Sequence, residues 1–443
     1  MFTNSLYQRS PVFIQNQLIS LRSLIRKILR EGKNQASLLD EIQKNDLDTS
    51  VLNSFARAQL THTLTQATKH VPFYKKFILS SKCELLDFPI INKVDIKDSA
   101  DAFLADNHNG VVISGATSGT TGTPLVIKQN MTSVIREQAF VARHLNWAGF
   151  ESGDKRAWIR GDMIVPLEQK QGPFWRYSWF ENMIMLSSFH MAPSNLQSYI
   201  DAMVAHGVQI IQAYPSSIVT LAKHLEINDQ YYPNKLKSIV TSSESLSQED
   251  KKLVEKRFGC VVFDWYGLFE RVAAIGSCEH GNYHILTDYS HVELVDAGDG
   301  RHEIIGTNFN NDLQPLIRYR TGDHVYLSEK TSCPCGRVFP IIDRIEGRIG
   351  DYLIGEDGQK VHILNHIPKG VDGLIATQFI QDDPKRIEVQ AVVDSRLFDQ
   401  QQEHILIENT KERLGKSMDV FVTIVDQIQK TKNGKTRQAI CTL

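Results

Sequence analysis

Cysteine is scarce, six in 443 residues, and so low a count over so long a chain excludes a disulfide scaffold. The closely spaced thiols of Cys333 and Cys335 therefore read as reduced, which fits a cytoplasmic setting. No apolar run approaches the roughly 20 residues that span a bilayer, and the first thirty residues lack the pattern of a secretory signal. Net charge is nearly absent at −2, so no global field draws the chain to nucleic acid or to an anionic membrane. Three familiar catalytic phrases are also missing. No Lys follows Gly122 as a Walker A loop requires, no Gly-x-Gly-x-x-Gly stands in that stretch, and no Gly-x-Ser-x-Gly elbow marks a serine hydrolase.

What is present is organised around Val111–Lys128, in which a Gly/Thr/Ser loop separates two β-branched ends. Gly115, Gly119 and Gly122 let backbone N–H groups approach an anion, and the hydroxyls of Thr117, Ser118, Thr120, Thr121 and Thr123 add uncharged donors. Such a loop suits polyphosphate; the competing reading is a flexible surface linker.

The length suits a large domain plus a smaller one. From Ala36 to about Asp87 the spacing is largely helical, with Pro72 interrupting it. A helix is expected over Ser133–Trp147. Beyond it, Val208–Ile211, Leu236–Thr241 and Cys260–Phe263 read as strands that end in polar turns before helices, one of them Ile218–Leu225 capped by Ser216 or Ser217. This alternation predicts an α/β sheet whose loops converge at the strand ends, the default place for a ligand. Phe174, Trp175, Tyr177 and Trp179 lie near Arg160 and Arg176, and core packing is the reading preferred over a carboxylate site.

Two more phrases carry chemistry. In Tyr266-Gly267-Leu268-Phe269-Glu270, Glu270 offers a hard oxygen for Mg²⁺ and Tyr266 a flat face for a purine or aryl group; the bland alternative is a solvated carboxylate at a helix start. In the phrase Leu316 to Asp323, a short carboxylate just after a Gly turn can accept both hydroxyls of a ribose, with an Asx turn as the alternative.

The phrase Thr117 to Pro124 closely resembles the nucleotide loop of adenylate-forming ligases, the superfamily of acyl-CoA synthetases and peptide-synthetase adenylation domains. Val71-Pro72-Phe73-Tyr74 followed by Pro89-Ile90-Ile91-Asn92-Lys93 resembles the N-terminal region of phenylacetate–CoA ligases and CapK-type proteins, and Ser10-Pro11 and Gln15-Asn16 look more like the second branch. The resemblance implies a large N-terminal adenylation domain of mixed sheets and helices, 1–349, with a helical lead-in over 1–100 and an insertion over 278–335. A small, mobile α+β lid domain over 350–443 follows.

It further implies a nucleotide set of Thr117, Ser118, Gly119, Thr120, Thr121, Gly122, Ser243, Glu244, Tyr266, Gly267, Asp323 and Arg348. The catalytic pair is Lys435 in the tail Thr431-Lys432-Asn433-Gly434-Lys435 and Glu270, which also holds magnesium. Phe269 stands where the family usually has Thr, Gly350 where it has Asp, and the usual Pro before the tail is replaced by Gln429 or Lys430.

Cys278, His284, Cys333 and Cys335 form Cys-x5-His and Cys-x-Cys pairs, soft donors fit for a closed structural zinc site, although Cys278 also reads as a plain buried thiol. Some phenylacetate–CoA ligase relatives carry such a metal. Ile14, Leu18, Leu21, Ile25 and Ile28 share a helical face bordered by Arg22, Arg26, Lys27 and Arg30. That face is expected to pack on its own domain, with weak peripheral membrane contact as the lesser alternative. The expected function is ATP-dependent activation of a small carboxylic acid through an acyl-adenylate, with CoA or an amine as acceptor, in the CapK-type branch associated with surface polysaccharide synthesis. A nucleotide-binding module that has lost its chemistry is the alternative, which Phe269 and the missing Pro permit.

Overall fold

The computed structural model describes residues 2–77, 84–116, 125–346, 352–361, 364, 367–431 and 433–443. The chain divides into two units, one made of residues 1–23, 151–262 and 349–443, the other of 24–150 and 263–348.

In the first unit the apolar runs form parallel strands Arg156–Arg160, Met183–Ser187, Ile210–Ala213 and Ser238–Ser242. Three of the four are buried along their whole length, as strands covered on both faces should be. Trp175–Ser178 pairs antiparallel on the outer edge of Met183–Ser187. Helices Pro193–His206, Pro215–Ile227 and Gln248–Phe258 return the chain between strands, and Leu196, Met203, Ile218, Leu221 and Val254 pack on Ile159, Ile184, Ile211 and Ile239.

The C-terminal part of this unit has a core of its own, built from Leu353, Phe379, Ile387, Val389, Leu406, Leu414 and Ala439. It is a four-stranded sheet with Leu374–Asp383 and Arg386–Val393 antiparallel at its centre and Asp419–Ile424 and Ala439–Cys441 parallel at the edges, beside the helix Gln400–Leu414.

The second unit is antiparallel where it is sheet. Ser290–Asp296, Arg301–Asn308, Tyr319–Leu327 and Ile341–Glu346 pair in that order, followed by Tyr283–Ile285 and Ala274–Ser277. Helices Lys33–Lys44, Thr49–His70 and Met131–Trp147 belong to it, the second ending ahead of Pro72, which starts the short helix Pro72–Lys75. Arg143, fully buried, is held by Asp288 through its two terminal guanidinium nitrogens at 2.6 and 3.0 Å, with Asp46 at 3.3 Å. A buried guanidinium needs such a partner, and this one ties the helix Met131–Trp147 to the turn before Ser290.

Two local expectations are corrected. Neither Ser216 nor Ser217 caps its helix: Pro215 takes the first helical position, Tyr214 is the capping residue without a side-chain bond, and both serines already lie in the first turn. The helix Val12–Arg30 packs little of its apolar face on its own domain, with Leu18 the one of the five expected residues lying against the core. Its buried residues are Gln15, Asn16, Ile19, Ser20 and Ser23, while Ile14, Leu21, Ile25 and Ile28 are exposed. The buried polar groups are paid for by hydrogen bonds: Gln15 accepts from Arg176 and donates to the Tyr7 carbonyl, Asn16 accepts from the Tyr177 N–H at 3.0 Å, and Ser20 accepts from the Trp179 N–H at 3.1 Å. Arg176 is consumed in the same network, donating also to the carbonyls of Pro173 and Trp175; Phe174 is buried as the core reading expects, whereas Trp179 is 45% exposed.

Candidate active site

The end of the strand Val261–Gly267, which lies in the second unit, delivers Tyr266 to the phrase after Tyr319. The Tyr266 hydroxyl donates to Asp323 Oδ2 at 2.7 Å. Asp323 is only 4% exposed, and its N–H donates to Thr321 Oγ1 at 3.0 Å while Thr321 donates to the Ile304 carbonyl at 2.8 Å. Gly322 sits between them at φ +76°, a turn that a side chain would strain.

Glu270 is buried, 2% exposed, and its Oε1 accepts from the Tyr319 hydroxyl at 3.2 Å. The solvated alternative for Glu270 is thereby removed. Its neighbour Arg271, at φ +58°, donates to the Ser133 carbonyl and to Gln129 Oε1, fixing the turn from both sides. A Cβ on Gly267 would come 2.8 Å from Trp265 Nε1, so glycine is the residue that fits there.

The strands Ile113–Ala116 and Val126–Gln129 pair antiparallel, with Ala116 opposite Val126, so the ends of the Gly-rich loop are brought together. Thr117, Ser118, Gly119, Thr120, Thr121 and Gly122 lie outside the described residues, as does Arg348. Just before the loop, Gly115 lies against Phe269: a Cβ on Gly115 would fall 2.1 Å from Phe269 Cζ. The aromatic ring that replaces the family's Thr therefore rests on the base of the hairpin.

In the first unit the strand Ser238–Ser242 runs into Ser243, whose φ of +74° is unusual for a residue with a side chain and is the kind of strain that collects at functional turns. Ser243 Oγ accepts from Arg160 at 2.8 Å, and the Arg160 guanidinium lies 4.9 Å from the ring centres of Trp158 and Tyr214. Glu244 uses one oxygen on each side. Oε2 accepts from the Ser216 N–H at 3.0 Å, and Oε1 accepts from the Thr436 N–H at 2.8 Å. The latter bond reaches across 192 residues to the C-terminal tail.

That tail is a tight hairpin in which the Thr431 N–H donates to the Lys435 carbonyl at 2.9 Å and the Lys435 N–H donates to Thr431 Oγ1 at 3.1 Å. The Tyr214 hydroxyl donates to the Asn433 carbonyl at 3.2 Å, and Gly434 adopts φ +70°. Lys435 thus stands in a hairpin fixed to the strand-end turns of the parallel sheet. Beside it a pocket of about 400 Å³ is lined by Phe189, Gln390, Gln429 and Lys430. Burial pushes the Lys430 ammonium down to about 8, with Glu244 opposing the shift. Gly161, Tyr214 and Asn433 did not stand out in the sequence. A glycine directly after the strand Arg156–Arg160 is the one signal that could have found the first, because such a position often marks close backbone approach.

The expected metal ligands also meet. The donor atoms of Cys278, His284, Cys333 and Cys335 lie within 4.8 Å of one another, with Cys278 Sγ 3.6 Å from Cys333 Sγ and Cys335 Sγ 3.5 Å from His284 Nε2. Four ligands about 2.3 Å from a tetrahedral zinc would be spaced about 3.8 Å apart, so the set fits that ion. His284 Nδ1 lies 3.3 Å from the Phe339 carbonyl, which would fix the ring and leave Nε2 toward the sulfurs, and Asn282 donates to Cys333 Sγ at 3.0 Å.

Comparison with known proteins agrees with this geometry. Residues 353–441 match the CapK C-terminal domain. Protein CapK of Staphylococcus aureus is 26% identical over 451 residues, covering 99% of both chains. Phenylacetate-coenzyme A ligase of Escherichia coli (strain K12) is 27% identical over 342 residues, covering 71% of this chain and 75% of the other. The solved structure of 2-hydroxyisobutyryl-CoA ligase in the postadenylation state shares the fold, with a TM-score of 0.65 at 16% identity and 90% coverage of each chain. The chain is thus similar along its whole length to CapK and over about 70% of it to phenylacetate–CoA ligases, and it shares the fold of an adenylate-forming CoA ligase.

Proposed function

We propose that the protein is an ATP-dependent ligase that activates a small carboxylic acid as its acyl-adenylate, releasing pyrophosphate, and then passes the acyl group to CoA or an amine, which displaces AMP. The observation that carries this reading is the bond from the Thr436 N–H to Glu244, which fixes the hairpin bearing Lys435 to the strand-end turns where α/β sheets bind ligands. The substrate carboxylate attacks the α-phosphorus, an oxygen–phosphorus bond forms, and the bond to pyrophosphate breaks. Catalysis is then mostly positioning and charge neutralisation.

The Gly-rich loop from Thr117 to Gly122 holds the β- and γ-phosphates. Asp323, oriented by Tyr266, accepts the ribose hydroxyls, and Arg348 adds a contact to the ribose or phosphate. Ser243 and Gly267 complete the nucleotide surface. Lys435 meets the negative charge that develops on the phosphate and acyl oxygens. Glu270 is the residue that would hold Mg²⁺, and that ion would supply neutralisation of the phosphate oxygens. Residues 350–443 act as the lid domain over an N-terminal domain of 1–349. Zinc in the Cys278, His284, Cys333 and Cys335 set would be structural, since no ligand position is left for a substrate.

Likeness to CapK along the whole chain supports the CapK-type branch over the phenylacetate–CoA ligase branch, and with it a part in surface polysaccharide synthesis. Phe269 on Gly115 favours one second reading, a module that binds nucleotide without turning it over. ATP–pyrophosphate exchange across a panel of carboxylic acids separates the two: the ligase exchanges with at least one acid. Lys435→Ala should lower that exchange by about 10²–10³. Nucleotide binding without exchange for any acid would favour the module, and full exchange in the Lys435 variant would sink the assigned role.

A further inference from the structure

The helix Val12–Arg30 spends its polar side inward and leaves its apolar side outward. Phe13, Ile14, Leu21, Ile25, Ile28 and Leu29 are each at least 42% exposed. At 100° per residue they fall within about half of the helix circumference, opposite Gln15, Asn16, Ser20 and Ser23. Leu6, in the preceding helix Ser5–Arg9, is 75% exposed as well. An apolar stripe of this size in water is costly unless something covers it.

The charges beside it say what fits. Arg9, Arg22, Arg26, Lys27 and Arg30 all lie within the first thirty residues, and no Asp or Glu occurs before Glu31. The rest of the chain must therefore carry the negative balance that brings the whole to −2. A helix with an apolar face and basic flanks matches a membrane interface, where the apolar side chains enter the acyl boundary and the cations meet anionic headgroups. A second copy of the same face would instead bring two such sets of cations together. We propose that the helix Val12–Arg30 docks this protein on an anionic membrane surface, lying in the plane of the interface without crossing it.

The test is flotation of the full-length chain with vesicles of phosphatidylcholine alone and of phosphatidylcholine mixed with phosphatidylglycerol. The expected result is flotation with the mixed vesicles, weakened by salt and lost in the triple variant Phe13→Ser, Leu21→Ser, Ile28→Ser, whose sites are exposed and whose pyrophosphate exchange should be unchanged. Arg26→Gln and Lys27→Gln should each weaken vesicle binding about fivefold. Failure of the wild-type chain to float with either vesicle overturns the proposal. So does a triple variant that binds as well as wild type, or a wild-type dimer in light scattering that the triple variant dissolves with no effect on flotation.

Discussion

The carbonyl oxygen of Asn433 lies directly over Gly161, where a Cβ would be only 1.7 Å away. Gly434 answers in kind: a Cβ there would lie 2.3 Å from Gly161 Cα. Backbone stands on both sides of this contact, so neither partner can step aside by rotating a side chain. The two glycines, the Tyr214 hydroxyl on Asn433 and the Glu244 carboxylate on Thr436 together set where the Lys435 hairpin rests.

Gly161→Ala should therefore displace that hairpin without unfolding the sheet beneath it. A shift of about 1 Å at the chemistry costs on the order of 10²-fold, which is the expected loss in pyrophosphate exchange. Acyl transfer from a preformed adenylate should suffer less. Equal exchange by the variant and wild type would show that the contact has no bearing on adenylation.

Tyr266→Phe removes a donor to Asp323 Oδ2 and leaves the carboxylate in place. A hydrogen bond to a charged group contributes about 1.5–3 kcal/mol, so the KM for ATP should rise roughly tenfold or more, with a larger rise for Asp323→Asn. Measured nucleotide affinities that match wild type in both variants would remove Asp323 from the ribose site.

Protein purified without chelator should carry one zinc per chain, and Cys333→Ser should lose it along with several degrees of melting temperature. Elemental analysis and thermal unfolding read both. A metal-free wild-type protein that melts at the same temperature as the variant would reduce the cluster to buried thiols.

His144 is 2% exposed and its imidazolium is pushed down to about 4 by burial, while Nε2 lies 3.0 Å from the Ser277 carbonyl. Because the folded value lies below the unfolded 6.5, the associated stability is complete above pH 6.5 and is lost as pH falls toward 4. At 1.36 kcal/mol per unit the loss is on the order of 3 kcal/mol. Urea titrations of wild type and His144→Gln between those limits should diverge on the acid side, with the variant the flatter. Parallel curves would assign the acid sensitivity elsewhere.

The strands and helices that build both units were legible because each depends on local pattern. The helix expected over Ser133–Trp147 runs from Met131 to Trp147, and the apolar runs around Ile211 and Ile239 sit in buried strands. Tyr266 and Asp323 stood out as chemical residues, and the fold joins them although 57 positions separate them. Glu244 was legible as a nucleotide-site candidate through the resemblance alone; its bond to Thr436 depends on the folding together of two distant segments. Ser216 and Ser217 misled because Pro215 fixes the helix start two or three residues earlier than a cap at either serine would.

The sequence by itself determined the repertoire: a hydroxyl-rich glycine loop, carboxylates after strand ends, a lysine in the tail, soft ligands in two pairs and an amphipathic N-terminal helix. Local propensity and short-range hydrogen bonding are enough to write these, since each is set within a few residues. Tertiary structure alone decided which side of Val12–Arg30 is covered, which glycines must be bare to admit Asn433, and that Cys278 and His284 meet Cys333 and Cys335. Periodicity reports that a helix has two faces, but only long-range packing and the satisfaction of buried polar groups select the one turned inward.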